Sequence, residues 1–164
     1  MCKKLVESEP RKKLLVQIKE HPGIIHRQLL RLTGLSNGQM SFHLKKLTTS
    51  KLVRIKKFGY NTTRYYPMSV KTVEADILDH IDGSTRRKII LFLLQHSDSR
   101  FREIVQYIEK AGSTTSSHLR RLEHAGIISV KRVDKKNQFY RLKNKSKIIK
   151  IILKYKISQT SGRY

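Results

Sequence analysis

Cysteine is almost missing from this chain: Cys2 stands alone among 164 residues. A lone thiol cannot close an internal disulfide and cannot supply a cysteine-clustered metal site, which fits a reducing compartment. Long apolar runs are missing as well. No stretch approaches the roughly 18 to 20 residues that a helix needs to cross a bilayer, and Met1-Cys2-Lys3-Lys4 lacks the apolar core and small-residue cleavage site of a secretory signal. The expectation is a cytoplasmic, nucleoid-associated protein with no membrane partner. Catalytic constellations are absent too: there is no phosphate-cradling glycine loop, no His-Glu-x-x-His and no carboxylate pair in an apolar setting. Asp76 and Asp79 lie three apart on a segment whose face reads as exposed, and the seven histidines show no metal-ligand spacing. No enzyme, cofactor or metal is expected.

Negative charge is the scarcest commodity. Twelve Asp and Glu stand against 36 Lys and Arg, for a formal net charge of +24 and a pI near 10.5. Such an excess opposes compact folding by self-repulsion and is expected mainly where the partner is a polyanion. Residues 1–67 hold 15 basic and 3 acidic side chains, and residues 84–164 hold 20 and 5. Between them, residues 68–83 carry one lysine against Glu74, Asp76, Asp79 and Asp82. This acidic stretch is expected to connect two basic units and to face away from the polyanion.

What is present is a repeat. Ser41-x-His43-Leu44-Lys45-Lys46-Leu47 returns 75 residues later as Ser116-x-His118-Leu119-Arg120-Arg121-Leu122. At the same offset Arg11 falls on Arg86, Lys13 on Lys88, His21 on His96, Arg27 on Arg102, Lys56 on Lys131 and Tyr65 on Tyr140, without a gap. A register held over so long a span implies two copies of one folded unit, each long enough for a modest core.

Helical spacing of Leu14, Leu15 and Ile18 predicts a first helix from Glu9 to Lys19, stopped by His21-Pro22-Gly23. A second is predicted over about 25–32 with Leu29 and Leu32 inward, then a third capped by Ser36 or Asn37, burying Met40, Leu44 and Leu47. Leu52 to Lys57 alternates in the manner of a half-buried strand, residues 58–61 supply a turn, and Thr62 to Tyr66 returns, closed by Pro67. Three helices followed by a hairpin is the order of a winged helix-turn-helix unit. Val70, Val73, Ile77, Leu78 and Ile81 predict a connector helix. In the second copy Ser84 or Thr85 is expected to cap a helix presenting Ile89, Ile90, Leu93 and Leu94 to a core. Phe101, Ile104, Val105 and Ile108, then Thr115, Leu119 and Leu122, mark the next two helices, and Gly126 suits a left-handed cap. Lys51 occupies the place of Gly126 in the first copy, so that helix end is expected to be strained or shaped differently. Residues 128–133 and 138–142 make the second hairpin, with 134–137 at its tip. The fold class is mainly α with small β-hairpins: unit 1 at 1–67, an acidic helical connector at 68–83, unit 2 at 84–145, a basic helix at 146–157 and a flexible tail at 158–164. That basic helix suits packing on unit 2 or across a dimer better than an anionic membrane.

The run Ser113-Thr114-Thr115-Ser116-Ser117-His118-Leu119-Arg120-Arg121-Leu122-Glu123-x-x-Gly126-Ile127-Ile128, with the hairpin ending Phe139-Tyr140-Arg141-Leu142, resembles winged helix regulators of the ArsR and MarR kind. The whole chain is similar to archaeal tandem winged helix-turn-helix transcription regulators, some of them archaellum activators. The resemblance implies a regulator whose third helices enter DNA major grooves while the wings lie along the backbone. ArsR metal sensing is not carried over, because the cysteine cluster it needs is missing. Met40 and Phe42 replace the smaller residues usual at their places.

A major groove admits one helix, and short polar side chains near its N-terminus reach base edges. Gln39, Ser41 and Phe42 hold those places in the first copy, and Thr114, Ser116 and Ser117 in the second. Lys45, Lys46, Arg120 and Arg121 on the helices, and Lys56, Lys57, Arg64, Lys131, Arg132, Lys135 and Lys136 on the wings, suit phosphate contacts that hold register without reading sequence. His43 and His118 can meet phosphate or bond to backbone, and Tyr65 and Tyr140 fit packing beneath the wing better than stacking on a base. The leading expectation is a sequence-specific double-stranded DNA regulator. The alternatives are a non-specific architectural or RNA-associated protein, and an adaptor of the basal transcription machinery. Monomer and homodimer are both left open.

Overall fold

The computed structural model describes residues 8–58, 62–134 and 137–155. The chain separates into two compact units, Met1–Ala75 and Asp76–Tyr164. The division falls inside the expected connector, not at either of its ends.

In the first unit α1 (Glu9–Glu20) starts with Pro10 in its first turn and buries Leu14, Leu15 and Ile18. Proline is tolerated there because the first helical N–H groups have no intrahelical partner. Gly23 then turns with φ +90°, leading into a two-residue strand β1 (Ile24–Ile25) and α2 (His26–Thr33). α3 (Asn37–Thr49) follows, capped reciprocally: Gln39 N donates to Ser36 Oγ at 3.3 Å and Ser36 N donates to Gln39 Oε1 at 3.1 Å. Met40, Leu44 and Leu47 are buried against Leu14, Ile18 and Leu29 in one apolar cluster. Each such side chain contributes about 1.5–3 kcal/mol by burial. The chain closes as β2 (Val53–Phe58) and β3 (Thr62–Pro67), with β3 central in an antiparallel sheet of order β1-β3-β2. α4 (Thr72–Ile81) comes next.

The second unit repeats this element by element. α5 (Ser84–Gln95), β4 (Ser99–Arg100), α6 (Phe101–Ile108), α7 (Gly112–His124), β5 (Ile128–Arg132) and β6 (Gln138–Leu142) are followed by α8 (Lys145–Lys154). Every helix from α5 to α7 begins and ends 75 residues after its counterpart. Strand register is preserved as well: Ile24 faces Tyr65 and Ser99 faces Tyr140, while Ile55 faces Tyr65 and Val130 faces Tyr140. The end of α4 is closed by two buried arginines of α5. Arg86 Nη2 and Nε donate to the carbonyls of Asp79 and His80 at 3.3 and 3.1 Å, and Arg87 Nε donates to the carbonyl of Ile81 at 3.1 Å. The last carbonyls of a helix lack intrahelical donors and carry its negative dipole end, so guanidinium groups satisfy both.

Several expectations need correction. Leu32 is exposed, and Leu30 packs against the core instead. Ile55 is exposed where the strand runs out into the wing, and Val73 is exposed on α4. Phe92, more than Leu94, faces the core of α5, which starts after Gly83 with no side-chain cap from Ser84 or Thr85. Asp79 was expected on an exposed face but is 0% exposed, at the helix end where Arg86 and Arg87 are buried. A buried carboxylate is tolerated only with compensating partners. Lys51 adopts φ +54° and Gly126 φ +68°, so the two helix ends share one shape and the first carries the strain. Of the turn predicted at 58–61, Phe58 belongs to β2, and residues 59–61, the wing residues 135–136 and the tail 158–164 lie outside the described residues.

Candidate nucleic-acid interface

With Met40, Leu44 and Leu47 turned to the core, helical geometry fixes which side chains α3 offers outward. Gln39, Ser41, Phe42, Lys45 and Lys46 are all exposed. Phe42 stands near the middle of that face, 59% exposed, with Lys46 Nζ 5.7 Å from its ring centroid and the His43 ring edge-on at 5.2 Å. The cap described above engages the carboxamide oxygen of Gln39 and leaves its amino group to donate. On α7 the matching face carries Thr114, Ser117, Arg120 and Arg121, all exposed, and Ser116, half-buried. The centre of the second face is therefore a hydroxyl, Ser117, where the first has an aromatic ring.

His43 and His118 sit at the same place in the two units, half-buried, each with Nδ1 shielded from solvent and without a hydrogen-bond partner. Thr115 Oγ1, inward on α7, is likewise unpartnered. Burial first, and then the charges of Arg86 and Arg121, hold the His118 pKa below the ordinary histidine value. Tyr65 and Tyr140 are buried beneath the wings. Tyr65 Oη lies 3.0 Å from His26 Nδ1, Tyr140 Oη donates to Gln138 Oε1 at 2.9 Å, and burial pushes both phenols up. Packing is their role in this fold.

The wings bring some of the expected cations to the surface and withdraw another. Lys57 and Lys131 are exposed and Lys56 is half-buried. Arg64 is the correction: it is 8% exposed, and its Nη1 donates to the carbonyl of Gly23 at 2.8 Å. Because β3 is central, Arg64 lies between Ile25 and Lys56 and its guanidinium serves the sheet, not the outer face. Arg132 is exposed, and its Nη2 donates to both oxygens of Glu123 at 2.8 and 3.0 Å. Lys135 and Lys136 are outside the described residues. Sequence reasoning missed Arg141, exposed on β6 and paired with Asp98 at 2.9 Å. The repeat gave no signal for it, because the equivalent position of the first unit is Tyr66.

Two helix-turn-helix units, each with a hairpin wing and an exposed polar and basic third helix, define a tandem winged helix-turn-helix protein. Comparison with known proteins agrees. Residues 8–78 match a family model described as an N-terminal HTH domain, and residues 83–130 match one described as bacterial regulatory protein, arsR family. The chain is similar to an uncharacterized HTH-type transcriptional regulator of the archaeon Methanocaldococcus jannaschii, 26% identical over 137 residues, which is 84% of this chain. The chain spans about a third of that relative's length, 34%. These are families of regulators, not of enzymes. Among the described residues no helix is long and apolar enough to cross a membrane, and no cluster of three or more His, Cys, Asp or Glu is arranged to hold a metal ion.

Proposed function

We propose that the chain is a sequence-specific double-stranded DNA-binding transcription regulator in which α3 and α7 enter major grooves and the basic wings lie on the phosphate backbone. The observation that carries this reading is the duplication of one exposed helix face. In both units short polar groups precede two adjacent cations, Lys45-Lys46 and Arg120-Arg121, and the apolar half of the same helix is locked into a core.

Such a face divides the work by chemistry. The amino group of Gln39 and the hydroxyls of Ser41, Thr114, Ser116 and Ser117 suit base edges, and Phe42 suits a thymine methyl. Lys45, Lys46, Lys56, Lys57, Arg120, Arg121 and Lys131 suit phosphates, which fix position without reading sequence. A net charge of +24 supports a polyanionic partner over a neutral or cationic one. The expected setting is the cytoplasm, on the chromosome.

Selection of bound duplexes from a random DNA pool tests the proposal. The expected result is an enriched motif bound at least about a thousandfold more tightly than random duplex, with affinity falling by roughly a thousandfold or more between 50 and 200 mM salt. A pool that yields no motif, or equal affinity for random duplex, would overturn sequence-specific reading and leave an architectural binder. A flat salt response would overturn nucleic-acid binding altogether.

A further inference from the structure

The second wing is fastened to its recognition helix by a contact that the first unit has no means to make. Glu123, one residue from the end of α7 and its single acidic side chain, accepts both bonds from Arg132 at the end of β5, at 2.8 and 3.0 Å. One repeat earlier the same two positions are Thr48 and Lys57. Thr48 Oγ1 donates to the carbonyls of Leu44 and Lys45 at 3.0 and 2.9 Å and offers no carboxylate to Lys57.

A carboxylate here is a liability for plain affinity. It stands on the helix of Arg120 and Arg121 and beside a strand carrying Lys131 and Arg132, where it repels phosphate and occupies a guanidinium. Phosphate contacts strengthen binding to every sequence alike, so each one withheld lowers affinity for every duplex without touching base readout. We propose that Glu123 is an affinity-limiting residue of the second unit: it withholds Arg132 from the backbone of any duplex and fixes the wing against α7, so that binding there draws on one phosphate contact fewer. The inference rests on the DNA-binding reading above.

The test uses the full chain with the near-isosteric Glu123→Gln, alone and combined with Arg132→Gln, and measures affinity against salt on random duplex and on a duplex recovered from the pool selection. For Glu123→Gln on random duplex, binding should tighten several-fold and the slope of log affinity against log salt should steepen by about 0.9, the value of one added phosphate contact. On the selected duplex the gain and the steepening should be the same, so the discrimination ratio is unchanged. The double variant should return to the wild-type slope, because the added contact is Arg132 itself. An unchanged slope in Glu123→Gln, or a steeper slope that survives in the double variant, would overturn the proposal. Absence of wild-type binding to any duplex would instead overturn the functional reading, and the two failures are told apart by the wild-type curve.

Discussion

Lys51 and Gly126 occupy the same left-handed turn, with φ +54° and +68°, just beyond the ends of α3 and α7. The hydrogen bonds around them match as well. Lys51 N donates to Thr48 O at 3.0 Å and Leu52 N to Leu47 O at 3.0 Å, while Gly126 N donates to Glu123 O at 2.9 Å and Ile127 N to Leu122 O at 3.0 Å. A side chain in this region costs about 1–2 kcal/mol because Cβ crowds the following carbonyl, and glycine escapes that cost but loses more chain entropy on folding. Lys51→Gly should therefore stabilise the protein by about 0.5–1 kcal/mol in urea unfolding, and Gly126→Lys should destabilise it by about 1 kcal/mol. No change, or a loss, on Lys51→Gly would mean that the lysine stem recovers its strain elsewhere.

Gly23 and Tyr66 give a sharper case. A Cβ built on Gly23 would lie 2.8 Å from Tyr66 Oη, and the backbone is already at φ +90°. Tyr66 is itself 0% exposed, with its hydroxyl 3.5 Å from the carbonyl of Ala75. Gly23→Ala should cost about 2–3 kcal/mol, from the clash and the unfavourable φ together. Adding Tyr66→Phe should restore part of that loss by removing the clashing oxygen. Unfolding curves that show purely additive losses in the double variant would exclude the clash as the cause.

The repeat made most of this architecture readable from sequence, because a gapless offset transfers each element from one unit to the other. What it did not reveal has physical reasons. The two-residue strands β1 and β4 are too short to show alternation, yet they make β3 and β6 central strands. That burial converts Arg64 from a wing cation into a donor to the Gly23 carbonyl. Leu32 and Ile55 show that apolar spacing marks the core only where another element arrives to cover it. Asp79 was misjudged because the arginines at its helix end come from the next helix. On the candidate interface, hydropathy spacing separated the inner and outer faces of α3 and α7 correctly. It had no means of showing that Arg132 is held by Glu123.

The arginines that close α4 lead to a third prediction. Arg87 is 4% exposed, donates to the carbonyls of Ile81 and Asp82 at 3.1 and 3.5 Å, and stands 3.9 Å from Asp82 Oδ1. Replacing it with alanine strips donors from helix-end carbonyls and leaves a gap, so Arg87→Ala should destabilise the protein by about 2–4 kcal/mol. Lysine cannot reproduce a planar fork that serves several acceptors, so Arg87→Lys should recover only part of the loss. Full recovery by lysine, measured in the same denaturation series, would reduce the role of Arg87 to its charge.

His118 carries a prediction in pH. Its folded pKa lies below the ordinary value through burial and then through Arg86 and Arg121. The unfolded chain therefore takes up a proton here before the folded one does. Stability associated with this group is complete above the unfolded pKa of about 6.5, and it is lost as pH falls from there through the folded pKa. Proton NMR of the His118 ring should give a midpoint below 6.5, and His118→Gln should flatten the loss of stability on the acid side. A midpoint at or above 6.5 would contradict the assignment.

The two recognition faces differ most at their centres, and that difference predicts different kinds of failure. The Phe42 ring is largely exposed in the free protein, so a thymine methyl that covers it removes apolar surface from water without any ion release. Phe42→Ala should then weaken binding to the selected duplex by about tenfold, relax preference at one A·T position and leave the salt slope unchanged. Ser117→Ala removes one hydroxyl from the matching place and should relax a different position, with a loss of similar size or smaller. Lys46→Ala should behave otherwise. It should weaken binding to all sequences nearly equally and reduce the salt slope by roughly 1, as one lost phosphate contact does. If Phe42→Ala instead changed the slope, or Lys46→Ala changed sequence preference, the division of base and backbone contacts on α3 would be reversed.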